Sequence, residues 1–258
     1  MGARTPSKAE AAIAKIKEEV PDAKITFLEL DLASLESVKK AADTFNASAN
    51  RLDVLMNNAG VMALSPSTTK DGYEIQFGTN HIGHALLTKL LLPILQRTAD
   101  ENGDVRIINV SSAGHQLPPS GGLALKEVTT DMNSYSTWVR YGQSKLANIL
   151  FTRELARRYP AIKCVALHPG AVATGLSLGF QNSHPWLAVL MRPIVLFVKT
   201  PQDGALTQLF TATSSDVKSG QYYVPPANEN PGSKYSQDQG LAEALWEWTE
   251  SELAKHGY

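Results

Sequence analysis

Short runs rich in branched and aromatic side chains alternate along this chain with segments whose apolar residues recur at helical spacing, and this alternation restricts the fold more than any other feature. Residues 25–30, 52–56, 105–110, 162–167 and 222–224 read as strands. Residues 7–20, 35–47, 73–96, 141–158, 203–213 and 240–255 read as helices. Strands joined through helical crossovers pair in parallel, which predicts an α/β chain with a mainly parallel sheet covered on both faces. With 258 residues and 43% hydrophobic side chains, the chain has material for one core. No repeat, low-complexity tract or linker divides it, so a single domain over 1–258 is expected.

Composition narrows the partners. A net charge of -1 gives no electrostatic case for nucleic acid or an anionic membrane. The longest apolar stretch, 185–198, is broken by Arg192 and Pro193 and makes a poor membrane span. It reads either as short core helices or as an apolar lid. The single Cys164 sits in a strand-like run, excludes an internal disulfide and reads as a buried strand residue. His81 and His84 stand three apart on a helical segment without a Cys or carboxylate to complete a metal set, so no metal is expected. Together these features suit a cytoplasmic protein with a small-molecule partner.

Specific residues then point to chemistry. Asn57-Asn58-Ala59-Gly60 directly follows the strand 52–56, where open parallel sheets bind ligands beyond the carboxyl ends of their strands. Small residues such as Asn58, Ala59 and Gly60 let a ligand approach the backbone. Ser111-Ser112 ends the strand 105–110; one hydroxyl can donate to a carbonyl as charge builds on its oxygen, while the other forms the turn. Tyr141 and Lys145 lie one helical turn apart. A phenol has a reference pKa near ~10, and bringing it to about 7 takes roughly 4 kcal/mol, much of which an adjacent ammonium can supply. Asn80 sits inside an apolar helical stretch, where its amide either satisfies a kinked backbone or relays protons by water towards Lys145. The irregular segment 115–134 joins Ser112 to the Tyr141 helix and is expected at the mouth of a site.

In these motifs and in their order, from Gly2-Ala3-Arg4-Thr5 through Asp31-Leu32, Asn80-His81-Ile82-Gly83-His84 and Tyr141 to Lys145 to His168-Pro169-Gly170, the chain resembles the short-chain dehydrogenase/reductase family, in particular its retinol-dehydrogenase-like and fungal reductase branch. The resemblance implies a Rossmann-like doubly wound parallel sheet and a catalytic set of Asn80, Ser112, Tyr141 and Lys145. It also implies a nicotinamide cofactor held by Arg4, Asp31, Asn58, Ala59, Tyr141, Lys145, Val172 and Thr174. An Arg4 guanidinium paired with a ribose 2'-phosphate favours NADP over NAD, against the alternative of a solvated Arg near a terminus. Asp31 either accepts from the adenine or caps the helix beginning near Ser34. A homo-oligomer pairing through the helices 73–96 and 141–158 is implied as well. The family opens with a strand, a glycine-rich turn and a helix that these residues lack, so an N-terminally truncated sheet with weak NADPH binding is expected. The expected activity is interconversion of a carbonyl and an alcohol on an apolar small molecule. The alternative is a noncatalytic relative that serves as a binding or interaction protein.

Overall fold

The computed structural model describes residues 1–170 and 200–258. Its centre is a pair of parallel strands, β4 (Val105–Val110), buried throughout, and β5 (Ile162–Leu167), buried except at Lys163. On one side of this pair lies parallel β3 (Val54–Asn57). On the other, β6 (Tyr222–Val224) continues the parallel order and β7 (Asn228–Asn230) closes the edge antiparallel. The sheet order is β3-β4-β5-β6-β7; β1 (Gly2–Ala3) and β2 (Leu28–Glu29) form a separate parallel pair.

Strand alternation decides which helix covers which face. Val105, Ile107, Ile162 and Cys164 point into a large apolar cluster with α2 (Leu35–Ser48), α4 (Gly83–Asn102) and α5 (Thr137–Arg158). The alternate residues Ile108, Val110, Val165 and Leu167 meet a second cluster that includes Phe210 of α6 (Pro201–Thr213). The sheet is therefore covered on both faces, as the sequence predicts. Cys164 lies in the first of these layers, where burial pushes its thiol up to about 12.

Polar side chains join the strands where the apolar pattern stops. Asn57 donates to the Asn109 side chain directly opposite it in β4, at 2.8 Å, and to Thr88 Oγ1 of α4, at 3.0 Å. Asn109 in turn donates to Thr152 Oγ1 of α5, at 2.9 Å. On the opposite face Arg106 donates to the Thr211 and Ser214 carbonyls at the end of α6 and pairs with Asp104.

Several elements depart from expectation. The run 25–30 is extended, but its ladder to β1 is only as long as that strand, with Met1 N bonded to Thr26 O and Leu30 N to Ala3 O. α1 (Pro6–Glu19) follows β1. The expected single helix 73–96 is broken into α3 (Ile75–Phe77), a π-helical turn at Gly78–Ile82, and α4, which passes through Pro93. α5 begins before residue 141 because the Ser136 hydroxyl accepts from Val139 N and caps it. The segment 115–134 is not a free rim: Val128 and Met132 are buried, and the Val128 carbonyl accepts from Glu74 N.

The last helix, α7 (Gln239–Lys255), lies across α5 and the 75–82 segment. Both of its tryptophans are half-buried. Trp246 stacks on Phe151 and takes Arg158 against its ring, and Trp248 meets Tyr73 and Phe77 edge-on. Among the described residues no helix is long and apolar enough to cross a membrane. The stretch 185–198, Val172 and Thr174 lie outside the described residues.

Candidate active site

The carboxyl ends of β3 and β4 and the first turns of α5 converge on Asn80, Ser112, Tyr141 and Lys145. Gly60 locates two of them. A Cβ placed there would lie 2.9 Å from Asn80 Oδ1 and 3.4 Å from Lys145 Nζ, so only bare backbone fits against both groups. The Asn80 amide bonds both backbone groups of Val61, accepting from its N–H at 2.8 Å and donating to its carbonyl at 2.9 Å. It also donates to Ser144 Oγ. His84 Nδ1 donates to the Asn80 carbonyl at 3.0 Å, which accounts for the π-helical turn by giving that carbonyl a partner off the regular ladder. Of the two roles open to Asn80, satisfaction of a distorted backbone has direct geometric support.

Ser111 and Ser112 separate by partner. Ser111 Oγ donates to the Lys145 carbonyl inside the core, whereas Ser112 Oγ accepts from the N–H of Gly114, whose Cα faces the Tyr141 ring. The turn carrying Ser112, Ala113–Gln116, is pressed against α5. A Cβ on Gly114 would come within 2.9 Å of Tyr141 Cε1, and one on Gly142 would strike the Leu117 carbonyl. Glycines at these positions were not anticipated from the sequence; a glycine beside each of the paired serine and tyrosine motifs was the available signal.

The electrostatics differ from the simple expectation. Lys145 is buried, and its ammonium donates to the Val110 carbonyl at 2.9 Å while standing 5.9 Å from the centre of the Tyr141 ring. Burial lowers Lys145 to about 8. Burial also pushes the Tyr141 phenol up, and its hydrogen bond with Ser112 opposes that. In the protein alone, desolvation thus outweighs the expected lowering of the phenol by the neighbouring ammonium. Val110 O also accepts from Asn148 Nδ2, a residue the sequence did not single out.

His81 and His84 are both buried, and burial depresses them to about 3 and about 4. They are neutral packing groups, His81 against Thr249 and Phe151. Among the described residues no cluster could hold a metal.

The remaining candidates lie apart from this centre. Arg4 follows β1, exposed and without an ion pair among the described residues. Asp31 is half-buried after β2; its Oδ1 accepts from Ala33 N, while α2 is capped by Ser34 and by Asp71. The capping alternative for Asp31 therefore fails, since it closes its own turn. Asn58 Oδ1 accepts from Gln208 of α6, and Ala59 carries no side chain able to obstruct a ligand.

Residues 1–124 match the family model for short chain dehydrogenases. The chain is 38% identical to the short-chain dehydrogenase/reductase drtF of Aspergillus calidoustus, over 99% of this chain and 85% of that protein. It is also 38% identical to retinol dehydrogenase 14 of Mus musculus, over 97% and 76%. A crystal structure of an uncharacterized protein from Mycobacterium paratuberculosis superposes with a TM-score of 0.71 at 32% identity, covering 98% of this chain and 82% of that one. The chain belongs to the short-chain dehydrogenase/reductase family, whose members are NAD(P)-dependent oxidoreductases acting on CH-OH groups. Within it, the similarity falls in the branch of retinol dehydrogenases and fungal reductases.

The site suits such a cofactor. Lys145 is a buried cation with a carbonyl, and no carboxylate, as its partner among the described residues, which leaves it able to bond ribose hydroxyls. Backbone at Gly60, rather than a side chain, borders the same space.

Proposed function

We propose that the chain interconverts a carbonyl and an alcohol on an apolar small molecule with NADP(H), using Tyr141 as proton donor and acceptor. The observation that carries this reading is that Ser112 Oγ and the Tyr141 ring border the same glycine, Gly114, with Lys145 one helical turn along α5. When bound, the nicotinamide dinucleotide supplies or accepts the hydride at the substrate carbon. Ser112 donates to the substrate oxygen as negative charge builds there, and Tyr141 delivers its phenolic proton to that oxygen. Lys145 holds the ribose and offsets charge on the phenolate. Asn80 connects the relay by clamping Val61, and hence Gly60, against Lys145.

Apolar preference rests on the surroundings of the first turn of α5. Leu64 is 37% exposed and Leu117 56%; the Leu64 carbonyl accepts from Thr137 and Arg140 of that turn, and the Leu117 carbonyl lies close against Gly142. Two exposed leucines carried by segments packed on the first turns of α5 favour a hydrophobic substrate. Preference for NADP rests on Arg4, which stands at the carboxyl end of β1 with its guanidinium free for a phosphate. Val172 and Thr174 complete the proposed cofactor contacts, and the single buried cysteine is compatible with cytoplasmic work. A homo-oligomer that pairs across α4 and α5 would include α7 in its contact, because α7 packs on both.

Single-turnover reduction of decanal and of retinal, with a short hydrophilic aldehyde as control, tests the reading. Consumption of NADPH faster with the apolar aldehydes is expected. No turnover of any aldehyde, with cofactor nevertheless bound, would favour the noncatalytic alternative.

A further inference from the structure

We propose that His115 is a positioning residue that ties the Ser112 turn to the C-terminal segment 232–236, so that this segment helps aim the Ser112 hydroxyl. The inference rests on the reading above, in which Ser112 and Tyr141 hold the substrate oxygen.

The Ser112 carbonyl accepts twice from the same residue, from His115 N at 3.1 Å and from His115 Nδ1 at 2.7 Å. On the far side of the ring, Nε2 accepts from Ser233 N at 3.2 Å. A carbonyl can only accept and a backbone N–H can only donate. One state of the imidazole meets both partners, the neutral ring with its proton on Nδ1. The other tautomer and the imidazolium each set N–H against N–H at Ser233. The ring is 1% exposed, and Tyr222 of β6 packs on it edge-on at 5.1 Å, so it has no room to turn to other partners. Burial lowers its pKa, in keeping with the neutral form.

The consequence reaches the catalytic pair through a short path. Ser112 caps the Ala113–Gln116 turn through its hydroxyl, and the Tyr141 ring lies against that turn at Gly114. Fixing the carbonyl of Ser112 fixes the peptide plane from which its side chain departs. A second tie runs in parallel: Gly121 N donates to the Tyr235 hydroxyl at 3.1 Å, so the segment after Ser112 is fastened to the C-terminal region at two points.

Two substitutions separate the arms of the imidazole. His115→Asn keeps a donor near the Nδ1 position and loses the reach to Ser233; His115→Gln keeps an acceptor near the Nε2 position and loses the bond to Ser112. With the full chain, decanal and NADPH, kcat is expected to fall about tenfold further in H115Q than in H115N, as for one lost hydrogen bond. KM for NADPH should be unchanged in both. An H115N kcat equal to that of the unsubstituted chain, or values that follow melting temperature alone, overturn the proposal. Tyrosine labelled at the ring Cζ gives a readout without turnover. The Tyr141 phenol should titrate at higher pH in both variants than in the unsubstituted chain, and furthest in H115Q, because the Ser112 hydroxyl that lowers it is no longer aimed. An unmoved phenol in H115Q overturns the proposal even if decanal proves not to be a substrate. Should H115Q fail to fold, nitrogen NMR of the unsubstituted chain decides: an Nε2–H tautomer or an imidazolium at neutral pH is incompatible with the tie.

Discussion

The two sheets of this molecule are held in different ways. Around β3, β4 and β5 the polar side chains of the site are engaged by protein groups: Asn80 is clamped to Val61, Lys145 to Val110, Ser111 to the Lys145 carbonyl, and Asn57 donates to Asn109. Around β1 and β2 the groups assigned to the cofactor stand open, Arg4 exposed and Asp31 with one oxygen engaged in its own turn. The contrast separates chemistry from recognition. On the proposed reading, the groups assigned to proton transfer are prearranged by protein partners, where reorganisation would be costly, whereas those assigned to the charged ligand stay at least partly exposed.

The comparison breaks most decisively at Tyr141. Replacement by Phe removes only the transferable proton, so turnover should drop by about 10²–10⁴-fold while NADPH affinity stays within a few-fold. Single-turnover kinetics and a cofactor titration measure the two. A Phe variant retaining a tenth of the rate or more would move the acid elsewhere.

The buried ion pair at the start of α5 should show next. Arg140 pairs with Glu74 at 2.8 Å, both side chains almost fully enclosed, and Arg140 also donates to the Leu64 carbonyl. Arg140→Met leaves the Glu74 carboxylate buried and unpaired, an expected loss of about 3–5 kcal/mol in chemical denaturation. A smaller loss than for an exposed pair such as Lys39 with Asp43 would mean that the catalytic side is less tightly built than it looks.

A smaller displacement sharpens the same point. Gly114→Ala places a methyl group against the Tyr141 ring, and kcat should fall about tenfold with NADPH affinity unchanged, in line with the cost of a misplaced catalytic group. Lys145 adds a pH test with a definite sign. Its folded pKa of about 8 lies below the ordinary 10.5, so the unfolded chain binds the extra proton between those values and stability gains with rising pH there. Burial of the charge is thus a full penalty below about pH 8 and is relieved above 10.5. Lys145→Met should be stabilising relative to the unsubstituted chain at neutral pH and lose that advantage as the pH rises. Activity should fall over the same range if the ammonium is the working form.

The open region should respond least. Arg4→Ala removes one charge-assisted pair at an exposed site, weakening NADPH by about tenfold and leaving NADH nearly unaffected. Calorimetric titration of both cofactors gives the ratio, and equal weakening would return Arg4 to the solvated surface.

Much of the architecture was legible because the sheet is buried. β4, β5 and β6 fall where periodicity predicts, since continuous apolar runs admit few alternatives. The π-helical turn at Asn80 was not, because it depends on a donor from His84 and on a loop some twenty residues away, neither of which leaves a periodic trace. For the same reason the partners that brace the site, Gly114, Gly142, Asn148 and His115, escaped notice. They matter through contacts made in three dimensions by residues whose types are ordinary. Arg4 and Asp31 were named through resemblance, since an exposed Arg and an Asp in its own turn carry no periodic signal.

The paired asparagines across β3 and β4 carry one more consequence, for how the chain finds its fold. Successive side chains in a strand point to opposite faces, so a slip of β3 by one residue along β4 would carry Asn57 away from Asn109 and Thr88 and into the aliphatic layer under α6. An amide stranded there costs about 1–3 kcal/mol, and its abandoned partners add to that. The ladder therefore acts as an alignment key. It rejects mispaired sheets during folding, and in doing so it fixes how far Gly60 stands from Ser112 before any ligand is present.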